Sequence, residues 1–96
     1  MQDINCEAIR QCVENGARLL DVRTTEEHTQ EALPNAVNIP LHILPMLADE
    51  HLTADEQIFI YCHSGSRAFM AEKILKNMGF QNIRNIGGME QYQNCH

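Results

Sequence analysis

The sequence predicts a small α/β domain built on a mostly parallel β-sheet. Short apolar segments of strand composition alternate with segments whose apolar residues recur at helical spacing, and no hairpin turn joins two of the strands. The 96 residues, 44% of them hydrophobic, suffice for one domain with one modest core. We therefore expect residues 1–96 to form a single domain, because no linker, repeat or low-complexity segment divides them.

Four segments are predicted as strands because each is short, apolar and bounded by turn residues. In chain order they are residues 18–22, 36–39, 58–61 and 80–86. The first is too short and too apolar for a surface helix, which favours a buried parallel strand. Gly87-Gly88 is expected to break the last one.

One helix is predicted before the first strand, from its cap to Asn15-Gly16, and others at residues 24–31, 41–52 and 67–78, with a terminal helical turn at 89–93. Asn5 is a candidate cap for the first helix, and Thr24 with Glu27 forms a capping-box pattern for the second. Pro45 interrupts the third, so we expect one bent helix or two short pieces. Gly79 is a suitable C′ residue to end the fourth.

The charge balance argues against nucleic acid or an anionic membrane as a partner. Seven basic and thirteen acidic residues leave a formal net charge of −6, and no basic run is present. The apolar runs fall far short of the roughly 20 residues of a membrane span, and no leader-like segment precedes the domain. We expect a cytoplasmic monomer. A periplasmic location stays open, because removal of a leader would leave the same sequence.

The cysteines, at positions 6, 12, 62 and 95, predict one functional thiol and no metal site. Neither a Cys-x-x-Cys pair nor the paired Cys/His spacing of zinc sites occurs, and a domain with an ordinary core does not need disulfides. We expect neither a metal nor another cofactor. Cys95 would form a disulfide with Cys62 only if the tail folds back, so an incidental thiol is the simpler interpretation.

Residues 58–68 carry the chemistry that the sequence predicts. A strand runs into Cys62, and a helix follows a short loop. A cysteine at the carboxyl end of a parallel strand and the positive end of a helix dipole lies where a thiolate is stabilised. Gly65 permits the positive φ that turns consecutive N–H groups toward the sulfur. Cys62 is therefore the candidate nucleophile, and the candidate substrate-binding loop consists of His63, Ser64, Gly65, Ser66 and Arg67.

The loop residues also allow less specific roles. Cys62 at a strand end can simply fill the core as a small apolar group. His63 either tunes the thiolate or lies on the rim in solvent. Ser66 is a candidate cap for the following helix. Arg67 either binds an anion or holds the shape of the loop.

Asp21 and Arg23 follow the neighbouring strand and are candidate secondary site residues. The carboxyl ends of parallel strands share one edge of a sheet, so both residues are expected near Cys62. A structural ion pair or loop brace is the simpler role for them than contact with substrate.

Several motifs resemble the rhodanese family of sulfurtransferases, in the order and spacing of that family. Cys-His-Ser-Gly-Ser-Arg at 62–67 resembles its active-site loop. Further matches are Leu-Leu-Asp-Val-Arg at 19–23, Pro-Asn-Ala-Val-Asn-Ile-Pro at 34–40 and Asn-Ile-Gly-Gly-Met-Glu-Gln-Tyr at 85–92. The resemblance covers nearly the whole chain. Ala32 replaces the usual histidine, and Asn35 replaces a turn glycine, although asparagine can still adopt the left-handed conformation.

The resemblance implies a rhodanese-like sheet of about five strands flanked by helices on both faces, and a sulfurtransferase mechanism. Cys62 would attack thiosulfate, a small anionic sulfur donor, and hold a persulfide until a thiol, cyanide or a protein acceptor takes the sulfur. Related phosphatases and arsenate reductases carry a loop one residue longer, which disfavours that activity here. A rhodanese-like recognition or sulfur-relay module without small-molecule turnover is the remaining alternative.

Overall fold

Four parallel strands form the centre of the fold, in a computed structural model that describes residues 6–89. The strands are β1 (Arg18–Asp21), β2 (Ala36–Asn38), β3 (Ile58–Cys62) and β4 (Ile83–Gly88). The helices are α1 (Cys6–Glu14), α2 (Thr25–Gln30), α3 (Leu44–His51), which follows a 3₁₀ turn at Leu41–Ile43, and α4 (Ser66–Asn77). The sheet order is β2-β1-β3-β4, with every neighbouring pair parallel. The predicted α/β class and parallel sheet are confirmed.

Local sequence signals determine several element boundaries. The capping box of α2 is present: Thr24 Oγ1 accepts the Glu27 N–H at 3.1 Å, and the Thr24 N–H donates to Glu27 Oε1 at 3.0 Å. Pro45 lies in the first turn of α3, where its missing N–H costs nothing, and the 3₁₀ turn precedes it. Gly79 (φ 103°) follows α4, and Asn35 (φ 67°) is left-handed as expected. Each of these local predictions is confirmed.

Two predictions about the strands are wrong. The sheet has four strands within residues 6–89 rather than about five. Each of the four apolar segments of strand composition supplies one of them. The last strand spans Ile83–Gly88 rather than 80–86. Phe80 instead donates its N–H to the Leu75 carbonyl at 3.0 Å and closes the end of α4. Gly87 and Gly88 continue the strand past a bulge and pair with the end of β3.

Alternating side chains of β3 divide the core into two layers. Ile58, Ile60 and Cys62 face the layer that α3 and α4 cover, whereas Phe59 and Tyr61 face the layer to which α1 contributes. All five side chains are buried, which explains why the strand is apolar throughout rather than alternating. The strand ends at Cys62, so its sulfur lies beneath the start of α4.

Some predictions concern residues that the structure does not describe. The Asn5 cap, Cys95 and all but the first residue of the turn expected at 89–93 lie outside residues 6–89. Within those residues, every helix is too short or too polar to cross a membrane.

Candidate active site

Cys62 Sγ lies at the N-terminus of α4 and accepts two backbone N–H groups. The Gly65 N–H is 2.9 Å from Sγ, and the Ala68 N–H is 3.4 Å from it. Gly65 is the N-cap residue of α4 and has φ 101°, the left-handed conformation that turns its N–H toward the sulfur. The prediction that Ser66 caps the helix is wrong, because Ser66 is already the first residue of α4 and Gly65 occupies the N-cap position. Donors at a helix N-terminus favour an anionic sulfur.

The polar side chains of the loop form an exposed rim over the buried sulfur. His63, Ser64 and Ser66 are exposed, whereas Cys62 has no exposed surface. Ser64 Oγ and Ser66 Oγ lie 3.5 Å apart, a distance at the limit of hydrogen bonding. These side chains are thus placed to meet an incoming ligand.

The end of β4 supports the loop from the other side. Gly88 pairs with Cys62 in the sheet, and a Cβ atom at Gly88 would lie 2.5 Å from the His63 carbonyl oxygen. Only glycine therefore allows this approach of the loop. Asn85 Nδ2 donates to the Gly65 carbonyl at 3.3 Å, and Asn85 Oδ1 accepts the Gly87 N–H at 2.7 Å. Asn85 is a supporting residue that sequence reasoning missed, because its partner is 20 residues away in the chain.

Arg67 forms a bidentate ion pair with Glu27 of α2. Nη1 donates to Oε1 at 2.7 Å and Nη2 to Oε2 at 3.1 Å. The Arg67 guanidinium lowers the pKa of Glu27 to about 2, and Glu27 in turn raises the pKa of Arg67. In this arrangement Arg67 ties the loop to α2. Glu27 was predicted only as a capping residue, since its spacing from Thr24 says nothing about a partner 40 residues away.

Asp21 and Arg23 form a buried ion pair at the end of β1. Arg23 donates its N–H and Nε to Asp21 Oδ1, at 2.9 and 3.0 Å, and Nη2 to Oδ2 at 2.7 Å. Tyr61 Oη donates to Oδ2 at 3.0 Å, and His28 Nδ1 lies 2.8 Å from the same atom. Burial would raise the pKa of Asp21, but the hydrogen bonds of Arg23 and His28 outweigh it and lower that pKa. The pair braces the edge of the sheet beside the loop.

An open pocket of about 260 Å³ borders Arg67 beside the segments that follow β1 and β2. Val22 and Thr24 line it from the segment after β1, and Leu41 and His42 from the segment after β2. Within residues 6–89, no group of three potential metal-binding side chains is assembled.

Gly65→Ala is expected to reduce both stability and the reactivity of Cys62, whereas Gly16→Ala should reduce stability alone. Both glycines have positive φ, 101° and 112°, a region that costs another residue about 1–2 kcal/mol. Of these two glycines, only Gly65 donates its N–H to Sγ, because Gly16 lies in the turn after α1 with open space around it. Urea unfolding and the alkylation rate at Cys62, followed by peptide mass mapping, measure the two effects. Equal alkylation rates in the two variants would contradict this role of the Gly65 N–H.

Glu27→Gln is expected to loosen the loop while keeping the α2 cap, because glutamine also completes a capping box. The pair is partly exposed, so the loss should be no more than about 1 kcal/mol. The pKa of Glu27 is lowered from 4.5 to about 2, so the stabilisation is complete above pH 4.5 and is lost as the pH falls toward 2. The thermal midpoint of the wild type should therefore decrease more on acidification than that of Glu27→Gln. Parallel decreases would show that the ion pair contributes nothing.

Comparison with known proteins identifies the fold and family of the chain. Residues 6–95 match the model of the rhodanese-like domain. YrkF of Bacillus subtilis, named as a candidate sulfur carrier protein, is 38% identical over 88% of this chain, but the match spans only 46% of YrkF. The thiosulfate sulfurtransferase PspE of Escherichia coli is 32% identical over 74% of this chain and 69% of its own length. The human single-domain sulfurtransferase TSTD1 has the same fold, with a TM-score of 0.80 at 23% identity over 98% of this chain and 96% of its own.

Proposed function

Because the chain belongs to the rhodanese-like domain family, we propose that it is a thiosulfate sulfurtransferase whose nucleophile is Cys62. The observation that carries the proposal is the pair of N–H donors, from Gly65 and Ala68, directed at Sγ. Such donors stabilise a sulfur anion before and after transfer. Further support comes from PspE, a relative that is named for the thiosulfate reaction.

The reaction requires no redox partner. The Cys62 thiolate attacks the outer sulfur of thiosulfate, an Sγ–S bond forms, and the S–S bond of thiosulfate breaks to release sulfite with the electron pair. An acceptor thiolate or cyanide then attacks the outer sulfur of the persulfide. The Sγ–S bond breaks, the Cys62 thiolate is regenerated, and the product is an acceptor persulfide or thiocyanate.

The six-residue loop favours this reaction over phosphate or arsenate chemistry. Arg67 already forms two hydrogen bonds with Glu27, which leaves it occupied as a brace rather than free as an anion ligand. The remaining anion contacts would come from backbone N–H groups and from the hydroxyls of Ser64 and Ser66. These donors suit the single sulfur atom that a persulfide leaves on Cys62 better than the larger phosphoryl or arsenyl group that a phosphatase or arsenate reductase would hold there.

Production of thiocyanate from thiosulfate and cyanide tests the proposal. We expect turnover that saturates with thiosulfate and follows ping-pong kinetics, since the persulfide separates two half-reactions. Phosphatase and arsenate reductase assays on the same preparation should give no signal above background. Turnover in either of those assays without thiocyanate formation would refute the assignment.

The burial of Cys62 favours one alternative. Because the side chain has no exposed surface, a small donor must pass the rim formed by the loop before it reaches the sulfur. A recognition or sulfur-relay module, in which a partner protein opens that rim, would fit the same geometry. Absence of thiocyanate formation, together with transfer from a protein persulfide to Cys62, would favour this second function.

A further inference from the structure

The exposed face of α4 begins at the rim of the active-site loop. Its exposed side chains recur at helical spacing and form one stripe, opposite the buried Ala68, Ala71 and Leu75. The stripe, called here the α4 face, consists of Ser66, Phe69, Met70, Lys73, Lys76 and Asn77. A molecule bound on the α4 face would therefore lie next to Cys62.

Apolar side chains are unusually exposed on this face. Phe69 and Met70 keep 51% and 50% of their surface exposed, and the third large exposed hydrophobic residue within 6–89 is Met46 on α3. Single exposed apolar residues are common, but two adjacent ones in the first turns after a reactive cysteine indicate a contact surface. Aromatic residues and methionine are the types enriched in such surfaces.

The α4 face is also locally basic in an acidic protein. The only two lysines of the sequence, Lys73 and Lys76, lie on it, although the chain has a net charge of −6. Lys73 Nζ lies 4.9 Å above the Phe69 ring, and Lys76 forms a long surface contact of 3.7 Å with Glu72. Both ammonium groups are solvent-exposed, so an acidic ligand can replace these weak contacts.

We propose that the α4 face docks an acidic protein segment that carries the acceptor thiol beside apolar side chains. Phe69 and Met70 contact the apolar residues, and the two lysines pair with the acidic ones. The proposal rests on the proposed function, because it assigns the partner of the second half-reaction. In that step the acceptor thiolate attacks the outer sulfur of the Cys62 persulfide. A new S–S bond forms on the acceptor, the Sγ–S bond breaks, and the electron pair returns to the Cys62 thiolate.

Binding is tested without sulfur chemistry by fluorescence anisotropy of two labelled peptides. One has the sequence Glu-Glu-Leu-Ser-Leu-Glu, and the other has lysine in place of each glutamate. At low ionic strength the full chain should bind the acidic peptide at least about tenfold more tightly than the basic one. Lys73→Glu should remove most of this preference, and Phe69→Ser should weaken binding of the acidic peptide about fivefold or more.

Matched controls separate a local surface from a general charge effect. Arg10→Glu makes the same charge change on α1, which packs on the opposite side of the sheet, and Met46→Ser removes the exposed apolar side chain of α3. Both should bind the acidic peptide within about twofold of the wild type. No preference between the peptides, or equal losses in the controls and the α4 variants, would overturn the proposal.

The transfer reaction distinguishes this inference from the function on which it rests. The acidic peptide with cysteine at the serine position is mixed with protein loaded from thiosulfate, and 2-mercaptoethanol serves as a neutral small acceptor. Lys73→Glu should slow transfer to the peptide about tenfold and leave transfer to 2-mercaptoethanol within about twofold. Peptide binding with the expected variant pattern but no sulfur transfer to either acceptor would support the docking surface and contradict the sulfurtransferase assignment. Equal slowing with both acceptors would overturn the docking role of Lys73.

Discussion

Cys62→Ser is expected to abolish thiocyanate formation while leaving the fold intact. A serine hydroxyl cannot carry a sulfane sulfur, so the rate should fall to that of the uncatalysed reaction between thiosulfate and cyanide. The hydroxyl oxygen can still accept the Gly65 N–H, and the volume change is small, so circular dichroism and the thermal midpoint should change little. Thiocyanate is measured colorimetrically as its iron complex.

Cys12→Ser is the matched control for this substitution. Cys12 is exposed on α1, on the far side of the sheet from the loop, and its thiol is free. Its removal should leave turnover within about twofold of the wild type. Retention of turnover by Cys62→Ser would show that sulfur transfer uses another residue.

Asp21→Asn is expected to be the most destabilising of the substitutions considered. It leaves the guanidinium of Arg23, a residue only 3% exposed, without its carboxylate, and it also weakens the bonds of Tyr61 Oη and His28. Removal of one partner from a buried ion pair typically costs about 3–5 kcal/mol. Urea unfolding at neutral pH measures this loss as a decrease in the midpoint.

The double variant Asp21→Asn with Arg23→Met separates the ion pair from simple packing loss. Removal of both charges leaves no unpaired buried charge, so the double variant should be more stable than Asp21→Asn alone. Additive losses in the double variant would contradict this role of the ion pair.

The lowered pKa of Asp21 also makes the stability of the protein depend on pH. The stabilisation by the ionised Asp21 carboxylate is complete above the usual pKa of 3.8 and is lost as the pH falls through the lowered pKa. The stability of the wild type should therefore approach that of Asp21→Asn in acid.

Local signals made most of the fold predictable from the sequence. The Thr24/Glu27 capping box, Pro45, Gly79 and the left-handed Asn35 each depend on residues within a few positions of one another, and each is confirmed. The strand, loop and helix around Cys62 were predictable for the same reason, because neighbouring residues determine where a strand ends and where a helix begins.

Long-range contacts account for what sequence reasoning missed. The Arg67–Glu27 pair joins residues 40 positions apart, and the contacts of Asp21 with His28 and Tyr61 depend on how α2 and β3 pack on β1. The end of β4 was misjudged because glycines usually weaken a strand. Here the absence of a side chain at Gly88 is what allows the His63 carbonyl to approach.

The most direct test of the central claim is the intact mass of the protein after incubation with thiosulfate and removal of excess reagent. A persulfide mechanism predicts an increase equal to one sulfur atom, located on Cys62 by peptide mapping, absent in Cys62→Ser and reversed by cyanide. An unchanged mass, or added sulfur that persists in Cys62→Ser, would contradict a persulfide mechanism at Cys62.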